Sequence, residues 1–151
     1  DFTEWPSKSI DYAHVTWAQL NEMLASGLVE VQNHSYDLHS YTPERYGCLP
    51  NAGESEADYA QLLRADLQRL QDALTSCTGC TPDTFAYPYG KYSDRTDQVL
   101  RGMGFQATLS CDWGINRLTH DPACLYRLRR ICRSHGQPLS AALERAYKAA
   151  G

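Results

Sequence analysis

The sequence has no long apolar run. Nothing in its 151 residues approaches the roughly 20 consecutive apolar residues that a bilayer crossing needs, so no membrane span is expected. It has no concentrated basic face either. The net charge is −4, and only Arg127, Arg129 and Arg130 come close together, a cluster that alternation along a strand explains, so no nucleic-acid partner is expected. No basic-then-apolar leader opens the chain, and Asp1-Phe2-Thr3 at its start includes no Met. The expectation is that the true N-terminus lies upstream or has been removed. Internal repeats and low-complexity tracts are missing too. What is present, with 42% hydrophobic, 21% charged and 11% aromatic residues, is ordinary globular composition, long enough for one domain with a core over residues 1–151.

Six cysteines, an even number, lean weakly towards an oxidising compartment. Cys77-Thr78-Gly79-Cys80 is a CxxC that follows a helix and precedes a strand. A redox CxxC normally opens a helix, and a zinc ribbon needs a second close pair, so a structural disulfide or plain thiols are the expectation.

Periodicity divides the chain into alternating helices and strands. Thr16 and Gln19 form a capping box with Val15 and Leu20 at the staple positions, and Gly27 ends that helix. Leu28–Asn33 alternates as a strand, with Val29 and Val31 on one face and Glu30, Gln32 and His34 on the other. A polar inner face with an apolar outer one suits a barrel that opens on a site and carries helices outside. A loop over Ser40–Gly53 holds Pro43, Gly47 and Pro50. A helix from near Ser55 then places Tyr59, Leu62, Leu63, Leu67, Leu70 and Leu74 in one stripe, stopped by Gly79 and Pro82. Thr84–Tyr87 reads as a short strand, about Asp94–Gly102 as a helix, Phe105–Ser110 and Leu125–Cys132 as strands, and about Ser140–Ala150 as a last helix. This order predicts an α/β fold with a parallel sheet and outer helices. About four strands are visible, where a closed barrel needs roughly eight.

Three stretches at strand ends carry candidate chemistry. His34-Ser35-Tyr36-Asp37-Leu38-His39 sets two histidines five apart. On a helix they would point about 140° apart, and on a continuous strand to opposite faces. They meet one ion only if the strand ends near His34 and the chain turns back. Catalytic zinc usually takes three protein ligands, so the stretch supplies two. Taken alone, such a pair is more often hydrogen-bonded or at the surface. Phe85-Ala86-Tyr87-Pro88-Tyr89-Gly90 forms a stiff loop whose Tyr89 backbone N–H can serve as an oxyanion donor, or is an ordinary turn. Ser110-Cys111-Asp112-Trp113-Gly114 offers Asp112 as an orienting carboxylate and Trp113 as a groove wall, or else a turn Asp beside a core Trp.

In order and spacing the three resemble the NodB-homology polysaccharide deacetylases, which carry a His-Ser/Thr…His metal motif, an aromatic-Pro-Tyr strand end and an Asp-Trp motif. The stretch Glu22 to His34 and the stretch Phe85 to Tyr92 are similar to the poly-N-acetylglucosamine deacetylase branch. The resemblance covers about Val15 to Ile131. It implies a partial distorted (β/α) barrel and hydrolysis of N-acetyl groups from an N-acetylhexosamine polysaccharide at or outside the cell surface. By resemblance His34 and His39 bind Zn2+ or another divalent transition metal, and Tyr89 and Asp112 serve catalysis. Ser35, Pro88 and Trp113 line the substrate site, with Ser35 supporting the loop.

The sequence also departs from the family pattern. The family's Thr-Phe-Asp-Asp segment supplies the general base and the third metal ligand, and no Asp-Asp pair stands here. Asp37 matches a position that is not the base. Ala86 stands where the family has Arg, and neither His135 nor His120 fits the late Leu-x-His. A fragment lacking its N-terminal strands, strands supplied by another chain, and a non-catalytic carbohydrate-binding module all account for this. A zinc hydrolase acting on a different amide is a further alternative. A missing strand predicts open sheet edges and self-association.

Overall fold

A computed structural model of the protein describes residues 15–150, and the start at Asp1-Phe2-Thr3 lies outside the described residues. Helix α1 (Trp17–Ala25) begins on the expected box: Thr16 Oγ1 accepts from Gln19 N, and Thr16 N donates to Gln19 Oε1 at 2.8 Å. Helix α2 (Glu56–Thr78) is capped by Ser55 and ends at Gly79. Its buried stripe is Tyr59, Leu63, Leu67 and Leu74. Leu62, read as part of that stripe, sits at its margin and is 38% exposed.

Strands β1 (Thr84–Ala86), β2 (Ala107–Trp113) and β3 (Leu128–Arg130) form one parallel sheet in that order, with helix α3 (Asp94–Gly102) between β1 and β2. Helix α4 (Leu139–Ala150) follows. The β2 strand runs three residues further than its alternation suggested, past a register shift between Leu109 and Trp113. Leu125–Cys132 yields only β3, preceded by a 3-10 turn at Pro122–Leu125.

The strand expected over Leu28–Asn33 is not formed. Of that segment only Asn33 pairs, in parallel with Phe85. The reason is a side chain: Gln32 Oε1 accepts from Asp83 N (3.1 Å) and Thr84 N (3.0 Å), and Thr84 N is the donor that a continuing ladder would use. The preceding Leu28 is left 89% exposed. Asn33 nevertheless sets the sheet edge, since its N donates to Thr84 O and its O accepts from Ala86 N at 3.0 Å. Because their pairings are parallel, Asn33, β1 and β2 deliver the residues that follow them to the same end of the sheet.

The core joins α2, β1 and α3 through Leu63, Leu67, Phe85, Tyr87, Val99, Leu100 and Phe105. Phe85 packs edge-on against Tyr87 and Phe105, with centroids at 5.5 and 5.9 Å. Among the described residues, buried polar side chains are paired. Tyr87 Oη bonds Asp97 and Thr108, and Arg127 Nε donates to Asp97 Oδ2 at 2.7 Å. Burial and the Asp97 contact push the Tyr87 phenol far above its ordinary range.

None of the six cysteines forms a disulfide, so of the two expectations the plain thiols hold. Cys48 is fully buried, and its carbonyl accepts from Tyr59 Oη at 2.6 Å. Burial pushes the Cys48 thiol up to about 12. The folded state then holds this proton more tightly than the unfolded one. The resulting stability is complete below the unfolded value of 9.0 and is lost as pH rises from there towards 12. In urea unfolding, the advantage of wild type over Cys48→Ala is expected to shrink between about pH 8 and about pH 10.5, by up to about 1.4 kcal/mol per pH unit above 9. A difference that stays flat over that interval sinks the assignment.

Candidate active site

The six residues from His34 to His39 do not continue the strand direction. Ser35 takes φ 75°, a left-handed conformation that costs a non-glycine residue about 1–2 kcal/mol. Hydrogen bonds hold it there. Asn33 Oδ1, fully buried, accepts from Ser35 N at 2.8 Å, and Ser35 Oγ accepts from Leu38 N at 3.2 Å.

The firmest anchor comes from α2. Asp66 receives two consecutive backbone N–H groups, Tyr36 N on Oδ1 at 2.9 Å and Asp37 N on Oδ2 at 2.8 Å. Charge-assisted bonds of this kind are about twice as strong as neutral ones. One helical turn on, the Arg69 guanidinium lies 3.8 Å over the Tyr36 ring. The loop therefore turns back, and the His34 and His39 rings come to 5.0 Å between centroids, both side chains exposed.

Each histidine is oriented. His34 Nδ1 lies 2.7 Å from Ala86 O. A carbonyl oxygen can only accept, so Nδ1 carries a proton, and in the neutral ring Nε2 is then the nitrogen with the lone pair. His39 stacks on Tyr89 at 4.2 Å and 12° between planes, and Tyr89 Oη donates to His39 O at 3.3 Å. Tyr89 itself has φ 56° within the turn Pro88–Gly90. That turn is closed by Gly90 N to Tyr87 O (2.8 Å) and Lys91 N to Pro88 O (3.0 Å), and the Tyr89 N–H takes no part in either bond. Pro88 is buried. A Cβ on Gly90 would stand 2.5 Å from Cys111 Cβ, and one on Gly47 would stand 2.9 Å from Pro88 O, so both positions require glycine for close approach.

Asp112 and Trp113 end β2 on the far side of Gly90. Asp112 Oδ2 accepts from Tyr92 Oη at 2.9 Å, which raises the Tyr92 phenol above its ordinary value. The Arg127 guanidinium lies 4.7 Å over the Tyr92 ring. Trp113 is half-buried under Arg145 of α4 at 5.0 Å. The structure thus gathers His34, Ser35, His39, Pro88 and Tyr89 into one group and Asp112 and Trp113 into a second. The two abut through Gly90 and Cys111.

Two imidazoles with oriented rings suit a divalent transition metal. Among the described residues no group of three His, Cys, Asp or Glu side chains gathers, so no third such side chain stands with these two. Sequence reading missed Asn33, Asp66, Arg69 and Tyr92. Only Asp66 and Arg69 carried a trace, as polar positions three apart on the α2 face beside the buried stripe.

Comparison with known proteins bears on the whole arrangement. A family described as polysaccharide deacetylase matches residues 3–108. Poly-beta-1,6-N-acetyl-D-glucosamine N-deacetylase of Escherichia coli (strain K12) is 24% identical over 119 residues, 66% of this chain and 17% of that one. The enzyme of that name from Staphylococcus aureus is 30% identical over 94 residues, 62% of this chain and 30% of that one. Among solved structures, IcaB from Ammonifex degensii superposes with TM-score 0.68 at 28% identity, over 93% of this chain and 57% of that chain. The de-N-acetylase from Aggregatibacter actinomycetemcomitans, at 22% identity and TM-score 0.69, covers 95% and 61% and shares the fold. The chain therefore spans less than a third of these curated relatives and just over half of IcaB. Its parallel sheet, outer helices and strand-end loops are part of a (β/α) barrel. With the match covering most of its length, the chain belongs to the polysaccharide deacetylase family.

Proposed function

We propose that this domain hydrolyses N-acetyl groups from an N-acetylhexosamine polysaccharide outside the cytoplasm, and that His34 and His39 hold a divalent metal, zinc by preference. The observation that carries this reading is the oriented pair. Two rings stand 5.0 Å apart just beyond the sheet edge set by Asn33, with His34 Nδ1 committed to Ala86 O. A divalent metal bound there would polarise an acetamide carbonyl. The Tyr89 N–H donates to the oxygen on which negative charge develops. Asp112, held by Tyr92, orients its neighbours. Pro88 shapes the wall of the site, and Trp113 borders the groove. A complete catalytic set needs, beside these two histidines, a third ligand and a general base. The names of the relatives point to the polymer, β-1,6-linked N-acetylglucosamine.

No helix among the described residues is long and apolar enough to cross a membrane. The exposed Leu28 edge is where an additional strand, or a second copy of the chain, would pair.

One observation favours a second reading, that of a carbohydrate-binding module without chemistry: the ligand set among the described residues is incomplete. Acetate release from a β-1,6-linked N-acetylglucosamine oligomer, with zinc and then with excess chelator, separates the two. Zinc-dependent release abolished by chelator is expected. Sugar binding that ignores chelator, with no acetate formed, would leave the binding module. Equal release from unrelated amides would move the assignment to a broader amidohydrolase.

A further inference from the structure

Two tyrosines of the loop after His39 stand beside the histidine pair without serving it. The Tyr41 ring meets Tyr46 edge-on at 4.7 Å, Tyr46 meets Tyr89 at 5.1 Å, and Tyr89 lies flat on His39 at 4.2 Å. The result is a continuous aromatic strip leading away from the histidines. Its outer end is open to solvent: Tyr41 is 75% exposed and Tyr89 37%.

The loop that carries the strip is held rigidly. Tyr41 and Tyr46 face each other across an antiparallel bridge. Thr42 N donates to Arg45 O at 2.9 Å, and Gly47 N to Ser40 O at 3.1 Å. Arg45 pairs with Glu54 at 2.6 Å, both side chains only 12% exposed, and also donates to Leu49 O. The close seat of Gly47 on Pro88 O locks the loop to the turn that bears Tyr89. A rigid loop that displays an exposed aromatic ring gains little in its own packing from doing so, and it presents that ring with its ordering cost already met.

Chemistry narrows the ligand. The strip ends in phenol hydroxyls, with Lys91 Nζ 5.2 Å from the Tyr46 centroid as a nearby donor. The chain carries net charge −4, which disfavours an acidic polymer or an anionic membrane surface. A neutral ring with an apolar C–H face and a hydroxyl rim fits both the rings and the donors.

We propose that Tyr41 and Tyr46 form a sugar-stacking subsite, binding a pyranose unit of the polysaccharide one or more residues away from the unit held at His34 and His39. This rests on the polysaccharide reading of the histidine site and adds a second point of attachment along the polymer.

The test uses this chain, metal-free in chelator so that no turnover intervenes, titrated calorimetrically with N-acetylglucosamine and with its β-1,6-linked pentamer. Wild type is expected to prefer the pentamer. Tyr41→Ala and Tyr46→Ala should each weaken pentamer binding about tenfold while Tyr41→Phe stays near wild type. Circular dichroism checks that the variants keep their fold. Pentamer binding unchanged in both alanine variants overturns the subsite, as does no pentamer binding by wild type. Acetate release with zinc is read separately. For that readout the β-1,6-linked pentamer is the decisive substrate: no acetate from it with zinc, beside intact, tyrosine-dependent pentamer binding, defeats the hydrolytic reading alone.

Discussion

Zinc affinity is expected to fall by about 100-fold or more when His34 and His39 are both replaced by alanine, since loss of mere outer-shell partners already costs about 10–100-fold. Both imidazoles are exposed and stand 5.0 Å apart, and His34 is fixed in the tautomer that frees Nε2. The structure holds six thiols, of which Cys77, Cys111 and Cys132 are exposed, and thiolates also bind zinc. The difference between wild type and variant, measured by calorimetric titration, therefore carries the result. A double alanine variant at His120 and His135, both exposed and outside the site, should titrate as wild type. Equal affinity in wild type and the His34, His39 variant would remove the metal assignment.

Replacing Asp66 by alanine is expected to weaken zinc binding about 10–100-fold although Asp66 touches neither imidazole. Its two oxygens hold Tyr36 N and Asp37 N, the middle of the loop that brings the histidines together. Asp66→Asn keeps one acceptor and turns an N–H donor towards the other backbone N–H, so it should fall between wild type and alanine. Asp66 is only half-buried on the α2 surface, so thermal stability should drop by far less than metal affinity does. Affinity and melting temperature falling in proportion would instead mark Asp66 as a general support of the fold. Unchanged affinity in Asp66→Ala would show that the loop holds its shape without the clamp.

The parts of the fold that follow local rules were legible in the sequence. Thr16 with Gln19, and Ser55 with Asp58, start their helices where capping chemistry puts them, and α3 has the expected bounds. The turn-back between His34 and His39 is the condition the sequence sets for the two to share an ion, because neither helix nor strand brings residues five apart together. What could not be read acts across distance. Gln32 takes the donors of residues 83 and 84 and so replaces a strand with an edge held by a side chain. Alternation over Leu28–Asn33 predicts the extended shape and says nothing of the partner. Asp66 lies 30 and 29 residues from its two donors, and Tyr92 lies 20 from Asp112. Such contacts leave no periodic signature. The roles assigned to Pro88, Asp112 and Trp113 rest on the family resemblance. The structure adds that Asp112 is held by Tyr92 and that α4 covers Trp113.

The bond from His34 to Ala86 O has a consequence for how the site can drift. Its acceptor is a peptide oxygen, which every residue type possesses, so no exchange at position 86 can delete it. Ala86, at the place where the family carries arginine, is thus free to vary without disturbing the imidazole. Asp66 is the opposite case, since both of its bonds depend on one side chain and a single codon change abolishes them. Of the two devices that shape the loop, one is heritable with the backbone itself and the other must be renewed by selection in every generation.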